Sequence, residues 1–392
     1  MLFLISGAGI GGLTTALCLA QAGHSVRIFE KTSAFLDIGA GIQCGANAVQ
    51  VLNSLGLGDA LEALAVTPER IDFNDFKTGS ALHSMPLGET YQQQYGAPYW
   101  HLHRSDLHSV LLNSVMTEPT IELHLNSPVR SYKESNAAVT LTLNDGRTFS
   151  GDCLVAADGV HSVIRTQLLG DTQPRFTGHV AWRGVVPVAR LPSHWMDTVV
   201  TNVVGPKKHM VLYYVRGKKL ANFVGVVECP NWQDDSWVSQ APWQTLKNDF
   251  SGWPESVQNI IDAMDKNECY RWGLFNHTPF KNWSSARVTL LGDAAHSTLP
   301  FMASGAAMAI EDARIFQRSV AAQPSIPHAL QCYQRNRMPR TAKIQTDSSH
   351  AGALYHFESS VMRKLAFTAL KVVSAKKEAF LPSYNANTIN LI

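Results

Sequence analysis

Residues 2–6 form a short, wholly apolar run that breaks at once into Gly7-Ala8-Gly9-Ile10-Gly11-Gly12, after which Leu13, Ala16, Leu17 and Ala20 recur at helical spacing. A strand, a glycine turn and a helix are thereby predicted in immediate succession. Gly23 is placed to stop the helix, and residues 26–30 (VRIFE) read as the next strand, so the first thirty residues form a β-α-β unit of a parallel sheet. The glycines match G-x-G-x-x-G in the context that motif requires. Gly7 permits the turn, Gly9 lets a pyrophosphate approach the backbone, and Gly12 brings the helix close to the strand. Phosphates then meet the positive end of the helix dipole, and Glu30 ends the second strand where it can accept from ribose hydroxyls.

Two further strand-to-turn transitions, at 153–159 (CLVAADG) and 288–293 (VTLLGD), return distant segments to the same sheet. The second, continued by Ala294-Ala295-His296 and Pro300, puts Asp293 at a strand end and starts a helix near Ser304-Gly305. Asp293 is suited to ribityl hydroxyls, and the helix N-terminus to the pyrimidine edge of a flavin, where negative charge collects on reduction. One such turn could be a strand end with an N-capping aspartate. Three on one sheet point to non-covalently bound FAD.

Between these turns, alternating strands at 179–188, 209–216 and 220–228, the last two joined at Gly217-Lys218-Lys219, predict an antiparallel sheet inserted into the α/β domain. The expected fold is α/β: a Rossmann-like FAD-binding domain with a mostly parallel sheet (1–70, 98–174, 272–345), an antiparallel-sheet substrate domain (71–97, 175–271) and a C-terminal helical segment (346–392). Within that segment, residues 356–377 read as a basic amphipathic helix, packed on its own domain rather than laid on a membrane surface.

A net charge of +2 over 392 residues disfavours nucleic acid and anionic membranes as partners. No apolar run approaches the ~20 residues of a bilayer span. The six cysteines are scattered, without metal-ligand spacing, so a cytoplasmic protein with reduced thiols and no metal is expected.

The motifs at 7–12, 152–165 (DCLVAADGVHSVIR) and 292–300 (GDAAHSTLP) closely resemble those of the group A flavoprotein monooxygenases, the fold of para-hydroxybenzoate hydroxylase, and within them the salicylate hydroxylase and 3-hydroxybenzoate 6-hydroxylase branch. The likeness runs from Met1 to about residue 345. It takes in Gly39-Ala40-Gly41-Ile42-Gln43, which lies beside the isoalloxazine in such proteins, and the segment 103–107, whose Arg104 meets the FAD. The resemblance implies cofactor contacts at Gly7, Gly9, Gly12, Glu30, Lys31, Gly41, Ile42, Gln43, Arg104, Asp158, Gly292, Asp293, Pro300, Gly305 and Ala306. It further implies that NADH or NADPH reduces the flavin, and that O2, through a C4a-hydroperoxyflavin, hydroxylates a small aromatic substrate: a phenolic acid or a hydroxylated N-heterocycle.

His209 and Tyr213, two steps of period two apart, share a strand face and could bracket one ring. Related hydroxylases carry a similar pair, with the histidine as base. Both could equally be half-buried strand residues, and His296 and Arg183 are weaker candidates for phenol activation. Many relatives have Pro-Asn where this chain has Ala46-Asn47, and Gln or His where it has Ser304, which predicts a ring site of altered size or polarity. A quinolone would fit as well as salicylate. The competing functions are an FAD oxidase or reductase without oxygen transfer and a non-catalytic FAD-binding regulator. A halogenase is disfavoured by the lack of Trp-x-Trp-x-Ile-Pro. A homodimer is left open.

Overall fold

The strand Leu2–Ser6 pairs in parallel with Ser25–Phe29 on one side and with Cys153–Ala156 on the other. The sheet grows outward to Ile121–His124 at one edge and Val288–Leu290 at the other, all parallel. The computed structural model describes residues 1–35, 40–170, 172–232 and 239–392, with 371–378 as backbone only.

Sequence-distant segments meet here because each strand is apolar on both faces. Phe3, Leu4, Ile5, Cys153, Leu154, Val155, Val288 and Leu290 are all fully buried, as a parallel sheet covered on both sides demands. The helix Ile10–Gln21 covers it together with Arg104–Thr117 and Gly305–Ala322. A Cβ at Gly12 would collide with the Gly7 carbonyl oxygen, so the close approach of helix to strand requires glycine there. The chain reverses its direction of growth between Leu2–Ser6 and Cys153–Ala156. Their carboxyl ends flank the crevice where an open α/β sheet binds ligands.

The second sheet has eight strands in the order Ser239–Gln240, Tyr270–Asn276, Arg175–Pro187, Leu220–Glu228, Lys208–Val215, Val200–Gly205, Arg70–Asp75 and Ala81–Pro86. Its pairs are antiparallel except Val200–Gly205 with Arg70–Asp75. This is the inserted sheet the sequence predicts; it adds strands at 70–86 and 200–205 that the alternation did not mark, and through Tyr270–Asn276 it runs past residue 271, the expected end of the insertion. A three-stranded meander over 129–151 was not foreseen.

The C-terminal segment differs in its boundaries from the sequence expectation. His356 ends a 30-residue helix, Ile326–Tyr355, and a new helix starts only at Ser360 and runs to Ala379. That helix packs on the second sheet. Phe367 is buried against Phe73, and Arg363 makes a buried ion pair with Asp75 at 2.8 Å. Among the described residues no helix is long and apolar enough to cross a membrane.

Candidate functional site

A cavity of about 380 Å³ lies where the carboxyl ends of the parallel strands face the second sheet. One wall is Gly9, Ala157, Gly159, Gly292 and Asp293, from the three turns. The opposite wall follows from sheet register. Arg183, Val224 and Val211 stand opposite one another on three adjacent strands, with His209 and Val226 in a neighbouring row and Tyr213 in another. Period-two alternation points all six into the same space.

Of the residues singled out from sequence, Gly9, Gly41, Ile42, Gln43, Arg104, His209, Tyr213, Gly292, Asp293, Pro300, Gly305 and Ala306 line this cavity together. Gly7, Gly12, Glu30, Lys31 and Asp158 stand behind or beside it, and Gly39 falls outside the described residues. The Glu30 carboxylate accepts from the Ala8 and Thr32 amides at 2.8 and 3.0 Å and keeps lone pairs for a further donor. Lys31 is exposed.

Several observations fit a dinucleotide with a flavin. An added Cβ at Gly9 would meet open space, the room a pyrophosphate needs at the helix N-terminus. Asp158 holds the amides of Val163 and Ile164 with Oδ2, while its buried Oδ1 has no hydrogen-bond partner among the described residues. Among the described residues no side chain caps the helix Gly305–Ala322, so its first amides are open toward the cavity. Ala303, beside it, is held in the left-handed region at φ 49°, a local strain that shapes the loop between cavity and helix. Asp293 is open to the cavity, and desolvation within the site raises its pKa against the opposing pull of His296 and Arg104.

On the opposite wall burial sets the electrostatics. The Tyr213 hydroxyl is held in its protonated form by desolvation, opposed by the Arg183 guanidinium and the Gln43 side chain. Desolvation lowers Arg183 as well, and its buried Nε has no hydrogen-bond partner among the described residues. His209 is driven well below the ordinary imidazole value by burial and then by His356 and His179, so it is neutral near pH 7. Its Nδ1 lies 2.8 Å from His356 Nε2.

His296 does not line the cavity. It bonds Asp312 at 2.5 Å inside a buried network that continues through Arg337, Glu311 and Arg340 to Asn47, which explains it as packing. Sequence reasoning missed His356, Glu228 and Asn222, since nothing local marks their convergence. A second cavity of about 360 Å³ shares Gln43, Val211, Pro300, Ala303 and Ser304 with the first and opens toward Tyr91, Tyr99, Asn202 and Tyr355. Ser304, with its short side chain, stands where the two meet.

A family model described as FAD binding domain matches residues 2–348. The chain is 34% identical to the 3-amino-4-hydroxybenzoate 2-monooxygenase PtmB3 of Streptomyces platensis, covering 92% of this chain and 90% of that protein. It is 35% identical to 3-hydroxybenzoate 6-hydroxylase of Polaromonas naphthalenivorans strain CJ2, covering 90% and 88%. Among solved structures it resembles Klebsiella pneumoniae HpxO complexed with FAD and uric acid, with a TM-score of 0.86 at 26% identity, over 97% of each chain.

Proposed function

This chain belongs to the FAD binding domain family and is an FAD-dependent aromatic monooxygenase, and from that premise we propose that its substrate is a phenolic acid or a hydroxylated N-heterocycle bound against the second sheet. Bound FAD supplies the redox chemistry, taking electrons from NADH or NADPH and activating O2. The residues named from sequence at the three turns, with Arg104 and the 41–43 segment, hold it. The same reading makes 1–70, 98–174 and 272–345 the cofactor part of the chain and 71–97 with 175–271 the substrate part, followed by the C-terminal helical segment 346–392. It places the protein in the cytoplasm, where its six free cysteines stay reduced.

The observation that carries the substrate reading is the placement of His209, Tyr213 and Arg183 on one sheet face, across the cavity from Asp293. Val211, Val224 and Val226 give a flat aromatic ring an apolar floor. Arg183, a cation in a cavity wall whose Nε has no hydrogen-bond partner among the described residues, is suited to a substrate carboxylate. His209 takes the phenolic proton, because an ionised ring oxygen activates its ortho and para carbons. Tyr213 donates to the ring's polar edge.

The test is NADH and NADPH consumption with 3-hydroxybenzoate, 3-amino-4-hydroxybenzoate, salicylate, urate and a set of hydroxylated pyridines and quinolones, followed by product mass. Gain of one oxygen is expected with at least one compound. Full-rate turnover giving only H2O2 throughout would instead mark an oxidase or reductase.

A further inference from the structure

The His209 ring is 1% exposed, and the only ring nitrogen of it with a hydrogen bond among the described residues is Nδ1, held by His356. His356 is itself buried, and its Nδ1 lies 3.0 Å from Glu228 Oε1. The Glu228 side chain is 37% exposed. A continuous hydrogen-bonded path thus runs from the cavity wall through two buried imidazoles to a carboxylate at the surface.

The charge at the outer end dictates the protons along the path. An ionised carboxylate only accepts, so His356 Nδ1 carries the proton. In a neutral His356 the other nitrogen must then accept, so the proton in the next bond sits on His209 Nδ1. His209 Nε2 is left as a lone pair. The neighbours hold these positions: the His356 backbone carbonyl accepts from the Lys207 amide, and the rings of Phe301 and Tyr355 abut that of His209 edge to face.

Building on the reading of His209 as the base, we propose that Glu228 and His356 are positioning residues that fix the His209 tautomer and carry the phenolic proton out to solvent. The phenol O–H bond breaks as its proton passes to His209 Nε2. The Nδ1 proton of His209 moves to His356 Nε2, and the Nδ1 proton of His356 moves to Glu228 and then to water. A phenolate remains in the cavity, one proton has left, and no ring keeps a positive charge. The reverse transfer of one proton resets both rings. A lone buried imidazole would do this poorly, because it would have to hold a charge in a desolvated place.

Other groups bear on the path. His179, on the adjacent strand, has its ring 5.4 Å from that of His356. Lys207 lies on the other side, paired with Glu358 at 3.2 Å, so its charge is compensated. Burial lowers His356 to about 4, with His179 adding to that and Glu228 opposing it, which keeps the relay ring neutral through the working range.

The deciding measurement is 15N NMR of the holoenzyme labelled at histidine, with the two rings assigned by loss of their signals in His209→Gln and His356→Gln. Protonated Nδ1 and bare Nε2 are expected in both rings at pH 7.5; a proton on His209 Nε2 overturns the proposal. Single-turnover hydroxylation against pH then separates it from the base reading, using 3-hydroxybenzoate or whichever panel compound gains oxygen. Glu228→Gln and His356→Gln should retain FAD yet slow hydroxylation roughly 100-fold, the lower end of what a positioned base contributes. The rate should recover above the phenol's own pKa, and Glu228→Asp should restore part of it throughout. Wild-type profiles in both variants, with His209→Ala impaired, would sink the relay alone. A wild-type profile in His209→Ala would remove the base reading beneath it.

Discussion

The Gly41 amide donates to Asn222 Oδ1 at 2.6 Å, across 181 positions of sequence. This bond fastens the 41–44 strand, on the cofactor side of the cavity, to the sheet that forms its floor. The ring of Tyr213 fills the space beside Gly41 so closely that a Cβ there would strike it. This hydrogen bond and this close packing contact help to set cofactor loop and substrate sheet against each other.

Asn222→Ala should loosen that register. Removing the acceptor leaves a part-buried amide without its partner, at a cost toward the lower end of about 1–3 kcal/mol of stability. A larger share of NADH oxidation should end as H2O2, measured by peroxide yield per NADH. Unchanged coupling would mean that the bond does not set the ring's position.

Purified protein should be yellow and release intact FAD on denaturation. Gly9→Val would fill the open space above the first turn, and Asp293→Ala removes a carboxylate that faces the cavity. Both variants should be largely apo by absorbance ratio. FAD content unaffected by either would refute the placement of the cofactor.

His209→Ala should keep its FAD, because the residue lies on the second sheet, away from the three turns. Hydroxylation should slow by roughly 10²–10⁴-fold. The loss should shrink as pH rises toward the free phenol's pKa, where solvent supplies phenolate. Tyr213→Phe, by contrast, should chiefly weaken substrate binding or coupling, read as KM and peroxide yield.

Arg183→Leu should raise KM for carboxylated substrates by roughly 10- to 150-fold, the worth of about 1.5–3 kcal/mol for a hydrogen bond to a charged group. A neutral phenol of the same size should be little affected. Equal losses for both would assign Arg183 to the sheet or the cofactor instead.

Acid should destabilise the fold through its buried histidines. Desolvation lowers His101 from an ordinary 6.5 to about 3 and His277 to about 4. Unfolding restores the ordinary value, so the unfolded chain binds protons that the folded chain refuses. The stability from these groups is fully present above pH 6.5 and is lost as pH falls from there toward 3–4. Tm measured from pH 7.5 to 4.5 should fall, and His277→Gln should flatten part of that fall. A Tm independent of pH across this window would contradict the buried, neutral assignment.

The parallel sheet was legible in the sequence because its signals are local. Leu2–Ser6 and the glycines after it specify a strand, a turn and a helix within twenty residues, and the turns at 158–159 and 292–293 repeat that grammar. The insertion was legible from the strand runs at 209–216 and 220–228 and the polar turn between them, which the structure pairs as an antiparallel hairpin. Its full extent was not, because Arg70–Asp75 pairs in parallel with Val200–Gly205 across a long stretch of chain, and neither strand announces its partner. The period of two also placed His209 and Tyr213 on one face.

What His209 touches was decided only by tertiary structure. His356 ends a helix that starts at Ile326, and Glu228 ends the strand next to that of His209. Their meeting depends on how that helix packs across the second sheet, through Phe301, Tyr355 and Phe73. Sequence fixes what is periodic and near along the chain. Long-range packing decides which buried polar groups find one another, and so where a proton can go.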